Sequence, residues 1–135
     1  MNVPSFITLY LISIPVFVAF DLLWLGIIAK GFYQTNLGHL LGPVNWPAAI
    51  AFYLIFLAGL TYFALMQSLE SGSFATAMLL GALYGFFTYA TYDLTNMATL
   101  RDWPLTLTLV DIAWGTLLGG LVASVTHIVY SIFFG

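Results

Sequence analysis

Three aspartates stand inside long apolar runs: Asp21, Asp93 and Asp111. A carboxylate costs about 2.5–3.5 kcal/mol at the centre of a membrane helix. Intramembrane acids therefore mark ion, proton or ligand sites, or hydrogen bonds between helices. Each acid has company at helical spacing. Asp21 shares a face with Ser13, Phe17 and Trp24; Asp111 shares one with Thr108 and Gly115, with Trp114 at its edge. Asp93 falls in a stripe with Gly85, Tyr89, Tyr92 and Asn96. Because residues i and i+3 are neighbours on a helix, the repeated Asp-x-x-Trp pattern gives Asp21 and Asp111 an adjacent indole. No Lys or Arg lies in these runs to neutralise the acids, so burial and mutual repulsion disfavour their charged forms. Tyr89, Tyr92, Trp24, Trp114 and Asn96 are the candidate donors to whichever acid ionises. Together Asp21, Trp24, Tyr89, Tyr92, Asp93, Asn96, Asp111 and Trp114 make the candidate ligand-binding set.

The elements that must position them follow from composition. The chain of 135 residues is 62% hydrophobic and only 5% charged, against about 25% charged in a soluble domain. A water-facing surface cannot be built from so few charges, and disorder requires the opposite composition. Two basic residues make no nucleic-acid footprint. Four runs are long enough, at about 20 residues, to cross a bilayer as helices: about 5–29, 47–66, 74–97 and 105–133. Their continuous apolar character argues against the alternation of a β-barrel. The expected fold is all-α, an integral membrane bundle of four transmembrane helices in a single domain. Span one is too long, and too poor in preceding basic residues, for a cleavable signal peptide. Pro15 removes a backbone donor in mid-span, which predicts a kink.

Depth adds to the pattern. Asp21 lies nine residues before Lys30, Asp93 eight before Arg101, and Asp111 nine after Asp102. At about 1.5 Å per residue each acid sits roughly 12–14 Å inside the same boundary, so three helices bring carboxyls to one height. Lys30 and Arg101 both fall on that side. The positive-inside rule makes it cytoplasmic and leaves the termini periplasmic.

The remaining features read as support. Gly81-x-x-x-Gly85 and Gly115-x-x-x-Gly119 allow close helix approach, within the bundle or between copies in a homodimer. Asn45-Trp46-Pro47 and Asp102-Trp103-Pro104 resemble one another as helix starts, with Asn or Asp as cap. Trp46, Trp103, Tyr33 and Tyr130 read as interfacial belt residues. His39 and His127 fall at opposite sides and read as interfacial hydrogen-bonders, which excludes a haem held by both. With no cysteine, disulfides, CxxC redox chemistry and thiolate metal sites are excluded; no metal and no cofactor are expected.

The runs Tyr89-Ala-Thr-Tyr-Asp-Leu-Thr-Asn96 and Asp111-Ile-Ala-Trp-Gly115 are distinctive. So are Asp21-Leu-Leu-Trp-Leu-Gly26, Gly31-Phe-Tyr33, Leu37-Gly38, Asn45-Trp46, Phe52-Tyr53, Ala98-Thr-Leu100 and Trp103-Pro104. In these the chain resembles, over essentially its whole length, the bacterial four-helix membrane protein family called domain of unknown function 2177. The resemblance implies a small protein of the bacterial inner membrane and no particular activity. It also carries an association with genes of fatty-acid cyclopropanation and oxidative stress, which implies a lipid context.

Three functions follow as expectations. The first is binding or transport of a proton, a cation or a small cationic or amphipathic ligand, with carboxylates drawing the charge and aromatic faces adding cation–π attraction. A second is an intramembrane enzyme or accessory subunit in lipid modification, with Asp93 and Asp111 as an acid–base pair and Tyr92 or Asn96 orienting the substrate. A third is a non-catalytic scaffold in which the acids join helices. The expected partners are membrane lipid, a small cationic or lipid-like ligand, and a second copy of the chain.

Overall fold

The computed structural model describes residues 2–135 and is all-helical, with no strand among those residues. Helix α1 (Val3–Leu23) runs into a π-helical turn, Trp24–Ile28, and a short α2 (Phe32–Leu37) follows. Helix α3 (Trp46–Leu60) continues through a second π-turn, Thr61–Leu65, into α4 (Met66–Ser71). Helices α5 (Phe74–Thr99) and α6 (Leu105–Phe133) complete the chain. Four segments are long and apolar enough to cross a membrane: Val3–Ile28, Trp46–Ser71, Phe74–Thr99 and Leu105–Phe133. They are spans one to four, and the protein is a four-span membrane protein.

Several limits differ from the sequence expectation. Span two, expected to end near residue 66, stays helical to Ser71. The reversal needs only Gly72, at φ 62°, and Ser73, whose side chain caps the Thr76 amide at 3.3 Å. The longer connection after span one is not a plain loop, since it holds α2. Span one stays helical through Pro15, and its irregular turn comes nine residues later at Trp24. The two similar helix starts also diverge. Asn45 caps α3 by accepting from the Ala48 amide at 3.2 Å. Asp102 sits in a left-handed turn at φ 58° and caps nothing, so α6 begins after Pro104.

Span four is the axis. Half of its most apolar window is buried, against 11% for span one. Its buried residues run from Leu107 to His127 and meet span three along the glycines. A Cβ on Gly81 would meet the Gly119 carbonyl, and one on Gly85 the Gly115 carbonyl. Both glycine pairs are therefore consumed inside one chain and leave no such seam for a second copy. Phe17, Phe56, Leu57, Leu60, Leu65, Leu118 and Val122 fill the core between spans one, two and four.

The end of the bundle that holds the termini is closed by polar pairs. Ser68 Oγ lies 2.9 Å from His127 Nδ1, joining spans two and four. Tyr130 donates to Ser5 Oγ at 2.9 Å, joining spans four and one. His127 is thus a buried tie between helices. The Ser68 hydroxyl donates to the Leu65 carbonyl at 2.7 Å.

Candidate functional site: two phenol-capped carboxylates in an aromatic cavity

At the opposite end, span two stands away from its neighbours. Most of Trp46–Ile55 is exposed, whereas Phe56, Leu57, Leu60, Thr61, Ala64 and Leu65 are buried. Spans two and three meet where the Tyr84 hydroxyl reaches the Phe56 carbonyl at 3.1 Å. Beyond that point the first half of span two is exposed, and two adjoining cavities lie between it and the other spans.

The inner cavity, of about 220 Å³, is lined by Asp21, Trp24, Leu25, Tyr33, Ala49, Phe52, Tyr53, Tyr89, Asp111 and Trp114. Trp24 and Trp114 stack face to face, with centroids 4.4 Å apart and planes 6° from parallel. The π-turn starts at Trp24, closed by the Ala29 amide on the Trp24 carbonyl at 2.7 Å. Gly31, at φ 84°, then reverses the chain in the left-handed region that suits glycine. Helix α2 therefore folds back over the bundle and delivers Tyr33. Its hydroxyl accepts from Trp24 Nε1 at 2.9 Å and donates to Asp111 Oδ1 at 2.8 Å. On the other side, the Tyr53 hydroxyl donates to Asp21 Oδ2 at 3.0 Å. Each of these two acids thus carries one phenol, and neither meets a base.

Burial pushes the Tyr33 phenol above its ordinary value of 10.0; the hydrogen bond from Trp24 opposes this, and the Asp111 and Asp21 carboxylates add to the rise. Tyr33 is therefore a fixed donor at physiological pH. The stability it adds is fully present below pH 10.0 and declines as pH rises beyond that value.

The outer cavity, of about 340 Å³, is lined by Phe52, Thr88, Tyr89, Tyr92 and Asp111. Phe52, Tyr89 and Asp111 border both cavities, so Asp111 stands where they join. Asp93 lies behind it. It neighbours Asp111, is fully buried, lines neither cavity, and has no hydrogen-bond partner at either carboxyl oxygen. A buried polar group without a partner costs about 1–3 kcal/mol, more when charged.

The structure brings Asp21, Trp24, Tyr89, Asp111 and Trp114 around one cavity and sets Asp93 beside Asp111. Tyr92 is 58% exposed and packs edge-on against Trp103, so it lies at the rim of the outer cavity. Asn96 is partly buried and lines neither cavity. No three His, Cys, Asp or Glu side chains among the described residues come close enough to hold a metal ion. The acids form a row, with Asp111 between Asp21 and Asp93.

The donors differ from those expected. Tyr33 and Tyr53 cap the acids, whereas Trp24 donates to Tyr33, and Tyr89 makes no hydrogen bond to a carboxylate. Tyr33 had read as a belt residue because it lies outside the spans. Its place in the site depends on α2 folding back. Tyr53 and Phe52 had no acid or repeat beside them to draw attention. Their only signal was that Gly31-Phe-Tyr33 and Phe52-Tyr53 are among the motifs that carry the family resemblance.

A family model described as "Predicted membrane protein (DUF2177)" matches residues 6–128. The chain belongs to that family. The matched stretch contains every residue of both cavities, so the site lies within what family membership covers. No curated protein and no solved structure matches the chain.

Proposed function

We propose that this DUF2177 protein binds a cation or a small cationic ligand in the cavity between Asp21 and Asp111, in competition with protons, and carries it through or holds it in the bacterial inner membrane. One observation carries the reading. Two carboxylates share a cavity walled by a stacked indole pair, with no Lys, Arg or His in its lining. The field there favours positive charge, and aromatic faces add about 0.5–2 kcal/mol of cation–π attraction. Asp93 supports a role for the proton, since one shared with Asp111 supplies a partner to a buried carboxyl that has none. A bound cation then displaces that proton, and affinity falls as pH falls.

The lipid-modifying enzyme receives less support, because its acid–base pair needs Asp93 to reach a substrate and Asp93 lines no cavity. Transport, as opposed to binding, implies a homodimer, since four spans enclose a thin path. In the bilayer, the end bearing Lys30 and Arg101 faces the cytoplasm and the termini face the periplasm.

The test is titration of the protein in lipid nanodiscs with tetramethylammonium, read by tryptophan fluorescence of a Trp46→Phe, Trp103→Phe background that keeps the indole pair, and by calorimetry from pH 5 to 8. Expected are saturable binding that weakens toward pH 5 and its loss in Asp111→Asn. Binding by Asp111→Asn equal to that of the native chain overturns the reading.

A further inference from the structure

The inner cavity suits a charge, but it does not stand alone. It adjoins the outer cavity at Asp111, Tyr89 and Phe52, and the volume of that cavity falls within the usual ligand-pocket range of about 300–1,000 Å³. The outer cavity is aromatic and apolar apart from Asp111 and its phenols. The Thr88 hydroxyl is engaged by the Tyr84 and Gly85 carbonyls at 2.8 and 3.1 Å, so the polar groups left there are Asp111 and the Tyr89 and Tyr92 phenols. Its rim is formed by Phe52 and Tyr92, both exposed. These residues sit within spans two and three, where the surroundings are hydrocarbon. Asp111 lies six residues inside the start of span four, roughly 9 Å along the helix. The mouth therefore faces the bilayer sideways, through the gap beside the exposed first half of span two.

We infer that the two cavities form one site entered laterally from the membrane, and that its ligand is a single-chain amphipath with a cationic head. The ammonium head sits between Asp111 and Asp21, against the aromatic wall. The hydrocarbon tail leaves past Phe52, Thr88 and Tyr92. Charge complementarity selects this class: a carboxylate or phosphate head would meet two carboxylates and no base. The inference rests on the cation-binding reading above and adds the tail and the lateral route.

Three probes separate the two: dodecyltrimethylammonium, tetramethylammonium and laurate, each titrated into protein in zwitterionic nanodiscs. The long-chain cation is expected to bind at least tenfold tighter than tetramethylammonium, and laurate not to bind. Thr88→Trp, which fills the outer cavity, is expected to lower dodecyltrimethylammonium affinity at least tenfold. Asp111→Asn abolishes its saturable binding and so corrects for partition into lipid. A dodecyltrimethylammonium with a photoreactive group at its tail end is expected to label Phe52, Thr88 or Tyr92 in the native chain, a readout that does not depend on the folding of a variant. Equal affinity for the two cations, or labelling that misses spans two and three, overturns the lateral amphipath and leaves the cation site standing. Failure of both cations to bind overturns the cation site itself, and preferential binding of laurate overturns both readings.

Discussion

The two ends of this bundle solve opposite problems with the same four helices. At the end that holds the termini, spans pack to contact. Glycine backbones of spans three and four meet at mid-span, and from there to the termini Leu60 and Leu65 fill the centre and Ser68–His127 and Tyr130–Ser5 tie the periphery. At the other end span two swings out, carboxylates take the place of leucines, and cavities remain between the helices. The contrast teaches how a small membrane protein can keep a polar site open. The packed end supplies rigidity without large side chains, because helices that meet at glycine gain close van der Waals contact along a long line. The open end is then held at its rim by two phenol–carboxylate bonds and a folded-back helix, not by a core.

The difference can be broken most severely along the glycine line between spans three and four. Gly85→Leu drives a side chain into the Gly115 backbone, which cannot move aside as a flexible side chain would. A loss of about 3 kcal/mol or more is expected, read as a collapse of thermal stability in detergent. Unchanged melting would mean that the glycine line does not set the bundle. The next largest effect falls on the open end. Asp21→Asn should reduce cation affinity about tenfold, or roughly 1.4 kcal/mol, while leaving the melting temperature close to native. A variant that melts early but binds normally would turn Asp21 into a structural residue.

The two kinds of polar tie offer a sharper contrast. Tyr33→Phe removes the donor to Asp111 and the acceptor for the Trp24 indole. It should cost about 1–2 kcal/mol and alter the emission of the indole pair. Ser68→Ala leaves His127 Nδ1 without its partner. It should cost about 1 kcal/mol, with cation binding and indole emission unchanged. If both variants perturb binding alike, the two ends are coupled and the contrast is lost. Smallest of all, Lys30→Ala touches an exposed side chain outside the cavities and should change stability by less than about 0.5 kcal/mol, as measured by the same melting assay.

How far these features were legible in the sequence follows from what each depends on. Span four has the limits its apolar run indicates, because the run is bounded by Pro104 and by the chain's last residues. Span two extends farther than expected, since Gln67, Ser68, Glu70 and Ser71 look like a polar turn but lie on a helix whose Ser68 is buried against His127. Asp21 and Asp111 were legible as a pair with their tryptophans, and those indoles do stack. Their phenols were not legible. Tyr33 reaches Asp111 across 78 residues, and Tyr53 reaches Asp21 across 32. Helical periodicity relates neighbours within one helix, so it is blind to such partners. Nor could spacing reveal that Tyr92, on the stripe of Asp93, turns to the rim while Asp93 disappears between helices.

Membrane residence and the four helices able to cross came from the sequence alone, because transfer of a helix into hydrocarbon is a property of each segment and sums residue by residue. The tertiary structure alone decided which phenol meets which carboxylate, which acid is left unpartnered, and where the bundle opens. Those outcomes depend on how helices rotate and splay against one another and on where a connecting segment folds back. In a bilayer, where apolar faces do not sort themselves by avoiding water, that arrangement is set by close packing and hydrogen bonds between distant residues.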